Sequence, residues 1–474
     1  MRRCARIVGF AALLAVMHGI DSAAEADDLC HECIELRVGR PMVIRGPSRH
    51  EPDAPVSVIR LPDGGFRGFA ANAITVAIDG ATPVALGGRS QVVLRPGPAG
   101  SPSDCGRWLT TAIPVREILY GLIHNEQSCN YKQGETHKSM SIAVSEDRGL
   151  TWGVLGQVIT GDEGFVPGRP SGEGDCTAVD GHDGYLYAYC QRLRDWKNTV
   201  SRAPVGDPSP GNWMKWNGVG WEAPGLGGTG AALDRWVGMS SAYWTEGNAV
   251  LLLAASSSLR LSVSKDKVHF KTMSEPIILY DAESWKRPAP TDLYAYPSMV
   301  AEEGGNDIGR HFFLTYTYIP PGQDFTQRYL VIHEAWIGTT FTPRHPQVRM
   351  ALTRWVDADG GKWTTAGPPI SSGHSYAFDA HLGYLMTAPS KSPGVKLDEC
   401  SSARSGGGFL AEAGGCAAAG GERRRVAGYA YREELPGTTA LYGCISTNQA
   451  RFASNRADCE NAGARERLLG FALQ

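Results

Sequence analysis

Between residues 56 and about 336 the chain alternates apolar and polar side chains in short runs, with Gly, Pro, Asn and Asp between the runs. A period of two is the pattern of half-buried strands. No long stretch carries the 3.6-residue period of an amphipathic helix, so the chain reads as all-β. The runs group into five repeats. The first covers residues 55–86: a strand from Val56 to Leu61, a Pro62-Asp63-Gly64-Gly65 turn, then strands around Phe66–Phe69 and Ile74–Ile78. The second covers residues 108–159. The third opens at Asp175-Cys176-Thr177-Ala178-Val179 and continues through Tyr185-Leu186-Tyr187-Ala188-Tyr189. The fourth covers residues 239–279 and the fifth residues 296–336. Each has a first strand, a Gly/Asp turn and an aromatic second strand. Five small sheets in series predict a five-bladed β-propeller over residues 27–340.

Beyond residue 345 the pattern changes. Leu382-Gly383-Tyr384-Leu385, Ala427-Gly428-Tyr429-Ala430 and Leu469-Gly470-Phe471-Ala472 repeat one phrase at intervals of 45 and 42 residues. Ahead of each copy lies a short strand, opening at Met350, Val395 and Thr439. Three copies without a helix signal predict a three-repeat, β-trefoil-like module over residues 345–474.

One local phrase supports the propeller. Ser145-Glu146-Asp147-Arg148-Gly149-Leu150-Thr151-Trp152 reads S-x-D-x-G-x-T-W, and a degenerate copy runs from Ser264 to Phe270. In such a turn Asp147 accepts backbone N–H bonds, Gly149 supplies a positive φ and Trp152 folds back as an apolar plug. The phrase resembles the Asp box of sialidase-like propellers, where it pins a hairpin and carries no chemistry.

Composition narrows the function. The chain has 474 residues, 20% of them charged, with a net charge of −3. That balance suggests neither a nucleic-acid partner nor an anionic membrane surface. Arg2, Arg3 and Arg6, an apolar run from Ile7 to Ile20 and Ala24-Glu25-Ala26 read as a bacterial secretory signal over residues 1–26. The expected product is secreted or periplasmic, monomeric and without a membrane span. Removing the signal removes Cys4 and leaves ten cysteines, an even count that favours disulfides in an exported chain. Pairing neighbours gives Cys30–Cys33, Cys105–Cys129, Cys176–Cys190, Cys400–Cys416 and Cys444–Cys459. Cys30-His31-Glu32-Cys33 lacks the second ligand pair of a zinc site, so no metal is assigned there. No cofactor is expected; a structural Ca²⁺ in the propeller tunnel is compatible with the sequence and not legible in it.

In a propeller a ligand at the mouth meets the starts of the innermost strands and the loops beside them. Asp53 precedes the first of these, Glu173 and Asp175 open the third, and Glu126 follows His124 on the second strand of the second repeat. Carboxylates converging on an aromatic-lined pit are the minimum for glycoside hydrolysis, one acting on water or the anomeric carbon and one donating a proton to the leaving oxygen. Asp53-Ala54-Pro55-Val56-Ser57-Val58-Ile59-Arg60, with its Gly turn and aromatic strand, resembles the opening blade of five-bladed propeller glycoside hydrolases of the family-43-like group. Gly174-Asp175-Cys176-Thr177-Ala178-Val179 and the Tyr296-Pro297-Ser298 opening resemble two further blades of that group, and the likeness covers roughly residues 50–340.

The resemblance implies a carbohydrate substrate, Asp53 as general base and Asp175 as the residue that tunes the acid and orients substrate. The group's Glu general acid has no clear counterpart; Glu173 and Glu126 are the two candidates. His124, Trp108, Tyr296 and Arg60 are the expected substrate contacts. Trp213, Trp216 and Trp221 either stack on sugar or cover a blade edge. Two alternatives remain beside the hydrolase: a non-catalytic glycan- or protein-binding propeller, and a sialidase. The sialidase would need three arginines around a carboxylate, drawn from Arg60, Arg169, Arg235 and Arg328, and its Arg-Ile-Pro opening is missing.

Overall fold

The computed structural model describes residues 30–50, 52–233, 238–255, 258–278, 285–340, 347–370, 375–390, 392–402 and 407–474. The expected signal segment and Arg235 lie outside them. The chain is all-β: among the described residues the only helical elements are 3₁₀ turns at His31–Cys33 and Cys459–Asn461. No helix among them is long and apolar enough to cross a membrane.

The body is five antiparallel units of short strands. Unit one comprises Ser57–Arg60, Phe66–Asn72, Ile74–Gly80 and Gln91–Leu94. Unit two comprises Gly106–Val115, Ile118–Asn130, Glu135–Ser145 and Gly153–Thr160. Unit three runs Pro170–Asp180, Tyr185–Arg192, Lys197–Pro204 and the hairpin Met214–Trp216/Trp221–Pro224. Unit four runs Gly238–Trp244, Ala249–Ala255, Leu259–Ser264 and Lys271–Thr272. Unit five runs Leu293–Ala301, His311–Ile319 and Arg328–Thr339. Its outer edge is covered by two strands from the chain start, Ile34–Val38 and Met42–Ser48. Local alternation cannot announce that pairing, because its partners lie some three hundred residues apart in sequence.

Apolar faces of successive units pack in cyclic order. Ile59 and Phe69 meet Leu109 and Ile123; Leu122 and Ile142 meet Ala178 and Leu186; Val179 and Tyr189 meet Tyr243 and Leu252. Leu251 and Leu261 meet Met299 and Leu314, and Val300 and Leu330 return to Val58 and Phe66. Hydroxyls on the first strands fasten the same cycle from within. Ser298 Oγ accepts from the Val56 N–H (2.8 Å), Ser57 Oγ from Ala112 (3.0 Å) and Thr111 Oγ1 from Ala178 (3.1 Å). Thr177 and Ser241 share a hydroxyl bond of 2.8 Å. Four of the five junctions between successive units thus carry a bond from a first-strand hydroxyl, three of them satisfying a buried backbone N–H.

The turn at Ser145–Trp152 has the bonds its residues call for. Asp147 Oδ1 accepts from the Leu150 and Thr151 N–H groups, Ser145 Oγ from Gly149, and Trp152 Nε1 donates to Gly149 O. Trp152 then meets Phe69 edge-on at 5.8 Å, seating this turn against unit one. At the degenerate copy Asp266 accepts from Val268 and His269, while Phe270 meets Tyr189 at 5.5 Å.

The tail has three long-short-long strand sets. They are Val348–Asp357/Lys362–Thr365/Tyr376–Met386, Gly394–Ser402/Gly408–Glu412/Gly421–Tyr431 and Thr438–Ser446/Arg451–Ser454/Gly463–Leu473. The last strands meet pairwise at Met386–Tyr429, Tyr431–Phe471 and Tyr384–Leu473. This is where the recurring glycines sit. A Cβ on Gly383 would strike Leu473 O at 2.7 Å, one on Gly428 Leu385 Cβ at 2.8 Å, and one on Gly470 Tyr431 O at 2.8 Å. Each copy's glycine therefore admits the backbone of another copy, and all three have positive φ.

All five neighbour disulfides form. Cys400 and Cys444 occupy equivalent places in tail copies two and three; the first copy has Trp355 there, packed on Phe378 at 5.5 Å. The tail joins the body through sheet and charge. Val348–Asp357 pairs in parallel with Ile34–Val38. Buried Arg425 bonds Glu399 of the tail (2.9 Å) and reaches Asp292 (3.1 Å) and the Tyr294 hydroxyl (2.8 Å) beside unit five.

A candidate active site at the ends of the first strands

Asp53 lies just before the first strand of unit one, where Thr317 donates to the Pro52 carbonyl and the Asp53 N–H donates to Ala71. Asp175 and Tyr296 occupy matching irregularities in the first strands of units three and five. The register slips between Gly174 and Thr177 and between Ala295 and Ser298. Asp175 and Tyr296 each take a left-handed φ, 50° and 51°. A bulge re-aims a side chain that the pleat would otherwise send into the sheet-to-sheet core. Here it brings both residues to one solvent-reachable recess.

Asp53 is bound by Arg328 Nη2 (2.9 Å) and by the Tyr296 hydroxyl. Beside it lie Glu126, Asp175 and Lys138. Lys138 Nζ is 2.6 Å from Asp175 and 3.5 Å from Glu126. His124 Nδ1 accepts the Asp175 N–H at 2.9 Å, so Nε2 carries the proton and donates to Glu126 at 3.2 Å. The Tyr131 hydroxyl donates to the other Glu126 oxygen at 2.6 Å. Gly174 is required by this crowding, since a Cβ there would lie 2.8 Å from both the His124 ring and Lys138 Cβ.

The three carboxyl groups are pushed in different directions. Burial lifts Asp53 above its ordinary range, against the pull of Arg328 and Tyr296. Burial also acts upward on Glu126, but Lys138, His124 and Tyr131 outweigh it and hold that group well below the usual carboxylate range. Asp175 follows Glu126: burial opposes, Lys138 and His124 prevail, and the carboxylate is favoured. Lys138, although buried, is held charged by Asp175 and Glu126. Among the described residues no group of three or more His, Cys, Asp and Glu side chains is arranged to hold a metal ion.

The expected residues divide cleanly. Asp53, Asp175, Glu126, His124 and Tyr296 come together. Glu173 does not: its carboxylate is buried within unit three, bonded to Thr199 and, at 2.6 Å, to Lys215. Trp108 is buried behind His124, edge-on at 5.4 Å, and presents no open face. Arg60 ends the strand that Asp53 precedes and pairs with Glu303 on the opposite side of the unit. Of the tryptophans, Trp213 is buried against Pro208 O, while Trp221 is covered by Arg202 at 4.4 Å. Lys138 and Tyr131 complete the cluster although no motif in the sequence marks them. Lys138 stands directly opposite Glu126 across the hairpin that Tyr131 helps to turn. Counting back from that Asn130–Gly134 turn would have placed the cation beside the acid. Trp285 is exposed and edge-on to Tyr296 at 5.9 Å, likewise without a motif to mark it.

Fold and site together define an all-β protein with a carboxylate-rich recess at one end of a ring of small sheets. No protein-family profile matches the chain, and no curated protein sequence matches it. Among solved structures it is similar to Zg3597, a family 117 glycoside hydrolase of the marine bacterium Zobellia galactanivorans. That match has 13% identity and a TM-score of 0.41, covering 65% of this chain and 91% of that one. The catalytic domain of the Coprinopsis cinerea GH62 α-L-arabinofuranosidase matches at 12% identity and a TM-score of 0.40, covering 64% and 98%. A GH43_1 enzyme from Xanthomonas citri matches at 13% identity and a TM-score of 0.37, covering 70% and 97%.

Proposed function

We propose that the chain is an exported five-bladed propeller glycoside hydrolase with a trefoil-like tail, and that its reaction takes place between Asp53 and the Glu126–Lys138–Asp175 cluster. One observation carries the reading: carboxyl groups gathered in a single recess are driven apart in proton affinity, Asp53 upward and Glu126 and Asp175 downward. Groups so separated are what acid–base hydrolysis of a glycoside requires.

The same observation reassigns the roles. The family resemblance makes Asp53 the base, yet burial raises its proton affinity above that of an ordinary carboxylate, against Arg328 and Tyr296. Glu126, the surviving candidate for the acid, is held ionised by three donors. In our reading Asp53 gives its proton to the leaving oxygen as the anomeric C–O bond breaks. Asp175 takes a proton from the water that adds to the anomeric carbon. Glu126 and Lys138 keep Asp175 ionised and in place, and His124 orients Glu126. Arg328, already 2.9 Å from Asp53, stabilises the carboxylate that forms there. The sialidase alternative draws no support from the described arginines: Arg169 pairs with Glu163 at 2.6 Å, Arg60 with Glu303, and of these three only Arg328 reaches a carboxylate of the recess.

The test compares Asp53→Asn with the unaltered protein on aryl glycosides of graded leaving-group acidity. A lost general acid is tolerated when the leaving group departs unprotonated, so dinitrophenyl glycosides should be spared while alkyl glycosides lose roughly 100-fold or more. Equal loss on both would return Asp53 to the base's role. No hydrolysis by the unaltered protein over a broad glycoside and polysaccharide panel would replace the hydrolase with the glycan-binding alternative.

A further inference from the structure

Where the tail docks on unit five a second recess opens, distinct from the carboxylate site. It is formed by two adjoining hollows of about 400 and 470 Å³ that share Tyr329 and Ile370. Arg423 and Arg424 of the tail face Gln323 and Gln327 of unit five across the first. Arg40 of the chain start faces Trp355 and Tyr376 of the tail across the second. Both body and tail are needed to wall each hollow.

The chemistry of this cleft is guanidinium over aromatic ring. Arg424 lies 4.4 Å above Trp363, which meets Tyr376 edge-on at 5.1 Å. Arg40 lies 4.4 Å above Phe378, which meets Trp355 at 5.5 Å. Arg40 is the less neutralised of the two cations, since the Glu422 carboxylate lines the same hollow as Arg424. Arg40 is exposed and makes no ion pair among the described residues. Arg424 is 3.8 Å from Glu399, whose oxygens are already taken by Arg425 at 2.9 Å. The segment at residues 320–327 divides the cleft from the carboxylate recess. Phe325 packs beneath Arg328 (5.3 Å), the partner of Asp53, while Gln323 and Gln327 of the same segment line the cleft.

We infer that this cleft binds a segment of an acidic polysaccharide, one whose sugars carry carboxylates. The C–H face of a pyranose ring suits the partly exposed Tyr376, Trp355 beside it being buried, and uronate carboxylates suit the planar forks of Arg40 and Arg424. Gln323 and Gln327 supply amides for sugar hydroxyls. An acidic peptide offers the charge without the flat apolar faces. The inference does not rest on hydrolysis at Asp53.

Affinity electrophoresis of the mature chain in gels containing polygalacturonate, alginate, neutral xylan or poly-glutamate tests it. Polygalacturonate or alginate is expected to retard the protein, less so as salt rises. Arg40→Glu and Arg424→Gln should each weaken binding by about tenfold, the loss of one charge-assisted contact. Arg40 is on the exposed rim, so its variant keeps the fold, and an unchanged melting temperature verifies this. Absence of retardation by both acidic glycans, retardation unaffected by either arginine substitution, or equal retardation by poly-glutamate would each overturn the assignment.

Discussion

His333 is a neutral histidine sealed where the chain closes on itself, and acid should expose its cost. It is fully buried in Arg328–Thr339, the strand that also carries Arg328 to Asp53. Its Nδ1–H donates to Gly39 O at 2.8 Å, and its Nε2 accepts from the Tyr316 hydroxyl at 2.7 Å. Gly39 belongs to the turn between the two chain-start strands that cover unit five. No carboxylate faces the ring among its described contacts. Burial therefore lowers its pKa from 6.5 to about 4, the Gly39 bond opposing only in part.

The sign follows from which state binds the proton first. Between pH 6.5 and 4 the unfolded chain protonates this histidine and the native protein does not. Stability is thus unaffected above pH 7 and falls as pH drops through the window. Each tenfold difference in proton affinity is worth about 1.4 kcal/mol, giving about 3 kcal/mol in full and about 2 kcal/mol between pH 7 and pH 5. The assay is equilibrium guanidinium unfolding followed by tryptophan fluorescence, on the unaltered protein and on His333→Asn. Asparagine can still donate to Gly39 but does not titrate. The variant starts less stable, yet its loss from pH 7 to pH 5 should be smaller by about 2 kcal/mol. Equal losses in the two proteins, or a His333 ring resonance titrating near 6.5, would refute the reasoning.

Two other substitutions probe the site and the tail. Lys138→Met strands two carboxylates that the native protein keeps ionised, and should cost about 3–5 kcal/mol at neutral pH. Because protonation relieves Glu126 and Asp175, the deficit should narrow as pH falls below the ordinary carboxylate values; guanidinium midpoints across pH would show it, and a constant deficit would mean lost packing alone. Gly428→Ala places a methyl 2.8 Å from Leu385 Cβ at a positive φ. It should destabilise by about 1–3 kcal/mol, and calorimetry resolving a lowered tail transition would measure it.

What the sequence made legible is what repeats locally. Period-two runs and their Gly/Asp turns place the units, the S-x-D-x-G-x-T-W phrase dictates its own hydrogen bonds, and spacing of the Leu-Gly-Tyr phrase marks the tail's three copies. Cysteine order suffices for the disulfides because each bridge closes a short loop. The site is different in kind. Asp53 and Asp175 could be chosen because strand starts are where a ring of sheets gathers side chains. Glu173 could not be told from Asp175 on that basis, since two residues of spacing put both on one face of an ideal strand. The bulge after Gly174 breaks the equivalence: Asp175 turns to the recess and Glu173 to Lys215 inside the unit. Charge state was equally out of reach. Whether Asp53 or Glu126 holds a proton depends on Lys138, one strand away, and on Arg328, brought around the whole ring by the last unit. A motif names the residue types that chemistry needs; which of them is acid and which is base is set by contacts that exist only after the ring has closed.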